Sequence, residues 1–255
     1  MFDIFDIRKQ SILVHSQRTF ETFENVMNET IKELNSKLAD LESQYDFLSK
    51  EIENNKTEDA YDEMLWNLDE IYLVKDYLLA VEEMKIIYLF KTLEIRIKTL
   101  IKIAYPDKDF KENYKWDMMK NIFKNFDIDI TVLDGYTEAF NLNTINNRIK
   151  HSGEISNEIK KINEFKDSTE FEFEDLRIFH NRVRIKIADF SKALGQAIIT
   201  ELFHFDDKRL NSICVSYIDR MDIETAKKFI DIFNSTLNVK SEQKSKLAFI
   251  KNLNG

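Results

Sequence analysis

From Phe20 to Ile52 the apolar residues recur at spacings of three and four: Phe20, Phe23, Met27, Ile31, Leu34, Leu38, Leu41, Tyr45, Leu48 and Ile52. A strand alternates its faces every second residue, so it cannot present this repeat on one side; a helix with a coiled-coil seam can. Composition points the same way. Four Gly and one Pro in 255 residues are too few to serve the turns of a β fold. The chain is therefore expected to be all-α.

The polar stretch "IENNKTEDA" interrupts the seam, and a second long helix is expected from about Thr57 to Tyr105, stopped by Pro106. Its apolar stripe includes Leu65, Leu68, Ile71, Leu78, Phe90, Leu93, Ile97, Leu100 and Ala104. Two long helices with a short polar connection predict an antiparallel hairpin. It is either a stalk packed within the chain or an arm for dimerisation or docking. Beyond Pro106 the pattern predicts a short helix near 113–126, with Trp116, Met119, Ile122 and Phe123, then a "DIDITVLDG" connector and a helix over 135–151. An acidic segment with a short helix precedes a long helix over 174–205, striped by Phe179, Val183, Ile187, Phe190, Leu194, Ile198 and Leu202. Two or three short helices complete the chain. Three regions result: a hairpin over 1–83 whose second helix runs on into a bundle, the bundle over 84–205, and short helices with a tail over 206–255.

Charge is unevenly spread. Residues 1–90 carry 9 Lys/Arg against 20 Asp/Glu, whereas residues 91–255 carry 28 against 26. An acidic first part repels phosphates and suits a protein partner, so contact with a polyanion is expected only in the second part. The opening "MFDIFDIRKQ" lacks the apolar core of a secretory signal, and no apolar run approaches the roughly 20 residues of a membrane span. The single Cys214 has no disulfide mate and reads as a small buried apolar residue. The expectation is a soluble, cytoplasmic chain with no membrane contact. No glycine-rich phosphate loop is present. His204 beside Asp206 and Asp207 lacks the converging ligands of a metal site, so no metal or cofactor is expected.

The stretch "NNRIKHSG", Asn146 to Gly153, admits two readings. Arg148, Lys150 and His151 suit the negative end of a helix dipole, and Gly153 suits a left-handed cap, so a well-formed helix end accounts for all of them. The other reading comes from the order of elements. "LFKTLEIRIKTLIKIAYP", a Trp-bearing helix, "GYTEAFNLNTINNRIKHSG" and a long final helix together resemble the HEPN superfamily of prokaryotic helical bundles, over roughly residues 84–205. The resemblance implies a bacterial defence or toxin–antitoxin component whose bundle engages RNA or a partner protein, with a metal-free ribonuclease chemistry and two motifs meeting across a homodimer. In the family signature, Arg-Asn-x-x-x-His, Asn147 takes the polar position and His151 the histidine position, while Asn146 stands where the arginine belongs. His151 would move the proton. Arg148, three residues before His151, would take over the phosphate. Glu94 and Lys98 are similar to an acidic–basic pair of some members.

"LRIFHNRVRIK" places Arg177, His180 and Arg184 on one helical face. They form either a solvated surface or, with Lys150, a strip that positions RNA phosphates. A non-catalytic scaffold or regulatory subunit, binding a protein partner through the acidic hairpin, is the alternative function.

Overall fold

The structure is a computed structural model that describes residues 4–18, 24–55, 58–106, 115–151 and 154–253. Among these residues there are eight α-helices and no strand: α1 (Ile4–Gln17), α2 (Glu24–Asn55), α3 (Glu58–Ala104), α4 (Trp116–Lys124), α5 (Tyr136–His151), α6 (Phe173–Phe203), α7 (Asp207–Ile218) and α8 (Ile223–Leu253). The all-α expectation holds. The connector before α5 is a single 3-10 turn, Ile130–Val132, and two more such turns, Ile159–Lys161 and Asn163–Phe165, stand in the acidic segment. The chain divides into two compact units. One is Arg8–Glu201, and the other combines Met1–Ile7 with Leu202–Gly255.

In the first unit, α2 and α3 pack on each other through Ile31 and Leu38 of one and Ile71, Val74 and Leu78 of the other, with Leu34, Leu41 and Tyr45 partly buried beside them. The seam at spacings of three and four is thus the buried side of α2. Phe20 and Phe23 lie outside the described residues. Asn67 donates to Gln44 across the pair at 3.2 Å, and Lys37 meets Glu70 at 2.8 Å. Leu65 departs from the expected stripe and is exposed.

The second half of α3 turns a different set inward. Leu89, Leu93, Ile97 and Leu100 are buried, as are Phe179, Val183, Ile187, Phe190, Leu194 and Ile198 of α6. Met119 and Phe123 of α4 and Ala139, Leu142 and Ile145 of α5 complete this core. The Arg8 guanidinium donates to the carbonyls of Ile103 and Ala104, satisfying the free end of α3. Gly135, at φ +78°, starts α5 in the left-handed region; an added Cβ would overlap the Lys186 carbonyl oxygen. Helix α5 is therefore entered tight against α6.

In the second unit α7 has no buried residue. Asp206 is its N-cap, accepting from the Arg209 amide at 2.7 Å. The expectation of a buried Cys214 is corrected here: its thiol is exposed, because α7 contributes nothing to a core. Tyr217 stacks on Phe229 at 5.9 Å.

A candidate groove on one face of helix α5

Helix α5 has two faces. Ala139, Leu142, Ile145 and Asn146 are buried against the bundle. Phe140, Asn143, Thr144, Asn147, Arg148 and His151, at helical spacing on another side, line a groove of about 360 Å³ with Trp116 and Asp117 of α4 and with Glu158. Asn147 and His151 are exposed and Arg148 is half-buried. Asn147 donates to Asn143 Oδ1 at 3.3 Å, which fixes its amide along the wall.

The opposite wall rests on aromatic packing. Trp116 is 8 % exposed and lies 6.5 Å from the ring of Phe90 and 6.2 Å from that of Tyr136. Its indole Nε1 is a buried donor without a hydrogen-bond acceptor among the described residues. Glu158 is carried by the acidic segment, and Arg182 anchors that segment. Its guanidinium forks onto both oxygens of Glu164, at 2.6 and 3.0 Å, and reaches Glu138 of α5 at 3.6 Å. Burial is the largest single influence and raises the Glu164 carboxyl, but the hydrogen bond from Arg182, a backbone hydrogen bond and the guanidinium charge together hold it below the usual range.

Of the residues singled out in the sequence, Asn147, Arg148 and His151 converge on this groove. Asn146 does not. It is 1 % exposed, its Nδ2 donates to Asn147 Oδ1 at 3.3 Å, and its own Oδ1 is buried without a donor among the described residues. The reason is the helix period: 146 follows 139 and 142 inward. Lys150 is exposed and outside the groove lining. Ser152 and Gly153 lie outside the described residues.

The Arg177–His180–Arg184 strip is not one uniform face: Arg177 is exposed, Arg184 half-buried and His180 buried. His180 is 3 % exposed, and its ordinary pKa of 6.5 is pushed down to about 3, first by burial and then by the cations Lys85 and Arg184. It is a neutral interior side chain and cannot meet a phosphate at the surface. Arg177 pairs with Glu174, one turn back on the same helix. Glu94 and Lys98 do meet, at 2.6 Å, and Lys91 joins Glu94 at 3.1 Å. Burial tends to raise the Glu94 carboxyl, and the two lysine hydrogen bonds bring it below its usual value.

Sequence reasoning passed over Phe140, Asn143 and Trp116 as groove residues. The first two were legible as the i−11 and i−8 positions from His151 on a single face of α5. Trp116 was not, because it reaches the groove only through tertiary packing. Among the described residues no three His, Cys, Asp or Glu side chains converge as metal ligands. No helix among the described residues is long and apolar enough to cross a membrane. Comparison with protein-family models, with curated proteins and with solved structures finds no match.

Proposed function

We propose that this chain is a cytoplasmic component of a bacterial defence or toxin–antitoxin system that engages RNA at the α5 groove and cleaves it without a metal. The observation that carries this reading is the convergence of Asn147, Arg148 and His151 on one groove beside Trp116 and Phe140. In the reaction, His151 takes the proton of the ribose 2′-hydroxyl as that oxygen attacks the adjacent phosphorus; the bond from phosphorus to the 5′-oxygen breaks, leaving a 2′,3′-cyclic phosphate and a 5′-hydroxyl that takes its proton from water. Arg148 offsets the charge that builds on the phosphate. Asn147 donates to a non-bridging oxygen, and the ring of Phe140 gives an unpaired base an apolar surface. The HEPN resemblance adds a homodimer to this reading.

The test is cleavage of labelled single-stranded RNA with EDTA present. His151→Ala and Arg148→Ala should each lower the rate by about 10²–10⁴, the loss expected for a group acting in the transition state. An inert wild-type protein that is folded and dimeric would remove the nuclease reading. A second reading, a non-catalytic scaffold, is favoured by Asp117 and Glu158, whose carboxylates share the groove with Arg148 and His151. On this reading the acidic α2–α3 region receives a protein partner, and RNA addition leaves the protein's sedimentation unchanged.

A further inference from the structure

Helix α3 carries a second apolar stripe, opposite the one in the core. Trp66, Leu73, Tyr77, Met84, Tyr88 and Ile95 are between 39 and 75 % exposed. Their spacings are seven, four, seven, four and seven. At 100° and 1.5 Å per residue they fall within an arc of about 60° along about 43 Å of helix. Six large side chains about half exposed place on the order of 600 Å² of apolar surface on one line, the upper end for a monomer. That is most of the ~800 Å² per partner that a stable interface buries. A narrow stripe that repeats every eleven residues, close to three whole helical turns, fits another helix.

The pattern also says which helix. Read backwards, the spacings are unchanged. An end-for-end turn about a point between Ala80 and Val81 lays Trp66 on Ile95, Leu73 on Tyr88 and Tyr77 on Met84. The same turn changes the sign of the flanking charges. Asp59 falls on Lys102, Glu63 on Lys98 and Glu70 on Lys91, all on the same side of the helix as the stripe. The wider helix follows suit: residues 58–80 hold seven acids and one base, and residues 81–104 hold five bases and three acids. We infer that α3 pairs antiparallel with α3 of a second copy of this chain, about a two-fold axis between Ala80 and Val81. A parallel pair would set Asp59, Glu63 and Glu70 against themselves. In the single chain Lys91 and Lys98 share Glu94, and Glu70 holds Lys37. The Lys37–Glu70 pair is exposed and weak, and Lys91 and Lys98 can keep Glu94 while they face the carboxylates of the second copy, so contacts are gained at both ends.

We take from the proposed function only its homodimer, and the test separates the two. Cys214, exposed, is first replaced by Ser. In that background Ala80→Cys should form a disulfide-linked dimer under mild oxidation. Trp66→Cys alone and Ile95→Cys alone should not, and a mixture of the two should. Trp66→Cys linking to itself would mean a parallel pair and would overturn the inference. A dimer in sedimentation with no 66–95 link would overturn this interface while leaving the homodimer standing, and a monomer at tens of micromolar would remove both. Charge swaps give the second arm. Glu63→Lys/Glu70→Lys and Lys91→Glu/Lys98→Glu should each weaken the homodimer by about tenfold or more, and mixing the two proteins should restore a dimer. Failure of the mixture to recover, with both variants folded by circular dichroism, would overturn the charge register.

Discussion

Asn146 donates its side-chain amide to Asn147 Oδ1 at 3.3 Å, so two consecutive asparagines join the interior of the bundle to the groove on its surface. One is 1 % exposed and the other faces solvent. The step of 100° per residue puts them on opposite sides of the boundary, and it decides what each substitution there does.

Asn146→Arg would set a guanidinium on the buried face of α5 that carries Ala139, Leu142 and Ile145. It should cost several kcal/mol, about 3 or more, rather than restore a catalytic arginine. Asn146→Leu should be close to neutral, since it also removes a buried acceptor that has no donor among the described residues. Urea denaturation of both variants measures this. Equal midpoints for Asn146→Arg and wild type would place the residue at the surface.

Lys150 serves as the control for the groove. It lies between Arg148 and His151 in sequence but outside the groove lining. Lys150→Ala should keep RNA cleavage within about threefold of wild type, whereas His151→Ala loses about 10²–10⁴. Both should melt within about 2 °C of wild type, because exposed substitutions change stability little. A loss at Lys150 equal to that at His151 would show that only general positive charge at the helix end matters.

Glu82 and Lys85 form an ion pair at 3.0 Å that is 1 % and 4 % exposed. Removing one partner leaves the other charge buried, so Lys85→Met should cost about 3–5 kcal/mol. Glu82→Leu with Lys85→Met should recover most of that loss, because two apolar side chains need no compensation. Chemical denaturation of the single and double variants reports the difference. Additive losses would mean that the two side chains are not coupled and that no charge is orphaned in the single variant.

His180 makes the bundle sensitive to mild acid. Its folded pKa of about 3 lies below the ordinary 6.5. Between those values the unfolded chain binds a proton that the folded chain refuses. Its contribution is therefore complete above about pH 6.5 and is lost as pH falls toward 3. Burial raises the Glu82 carboxyl, and that shift acts in the opposite sense, since the folded chain then takes up a proton early. The melting temperature should fall between pH 7 and pH 5, above the range where most carboxylates titrate. His180→Gln should flatten the slope in that interval. An unchanged slope would show that His180 is protonated in the fold.

Leu38 and Leu41 separate the two sides of the α2 seam. Leu38 is 8 % exposed within the cluster of Ile71, Val74 and Leu78, and Leu41 is only partly buried beside it. Leu38→Asp should cost several kcal/mol, roughly twice the effect of Leu41→Asp, because the less exposed carboxylate is further from water. Thermal melts by circular dichroism decide this. Equal losses would mean that both positions are equally buried.

The spacing of apolar residues was enough to determine that the chain is helical, where α2, α3, α5 and α6 run, and which side of α2 and α6 is buried. Those properties follow from a local period of 3.6 residues, and the period is written in consecutive positions. It also carried the palindrome on α3, because six residues of one helix share a side whatever packs around them. The groove was only half legible. Asn147, Arg148 and His151 share a face of α5, so their proximity is local. That Trp116 and Glu158 meet them depends on α4 and on a segment that Arg182 pins from α6. The burial of Asn146 and His180 was likewise decided in three dimensions. Polar residues at those positions suit water equally well until a neighbouring helix removes it. A sequence records the order of side chains along a helix, and only the packing of helices against one another decides which side loses its solvent.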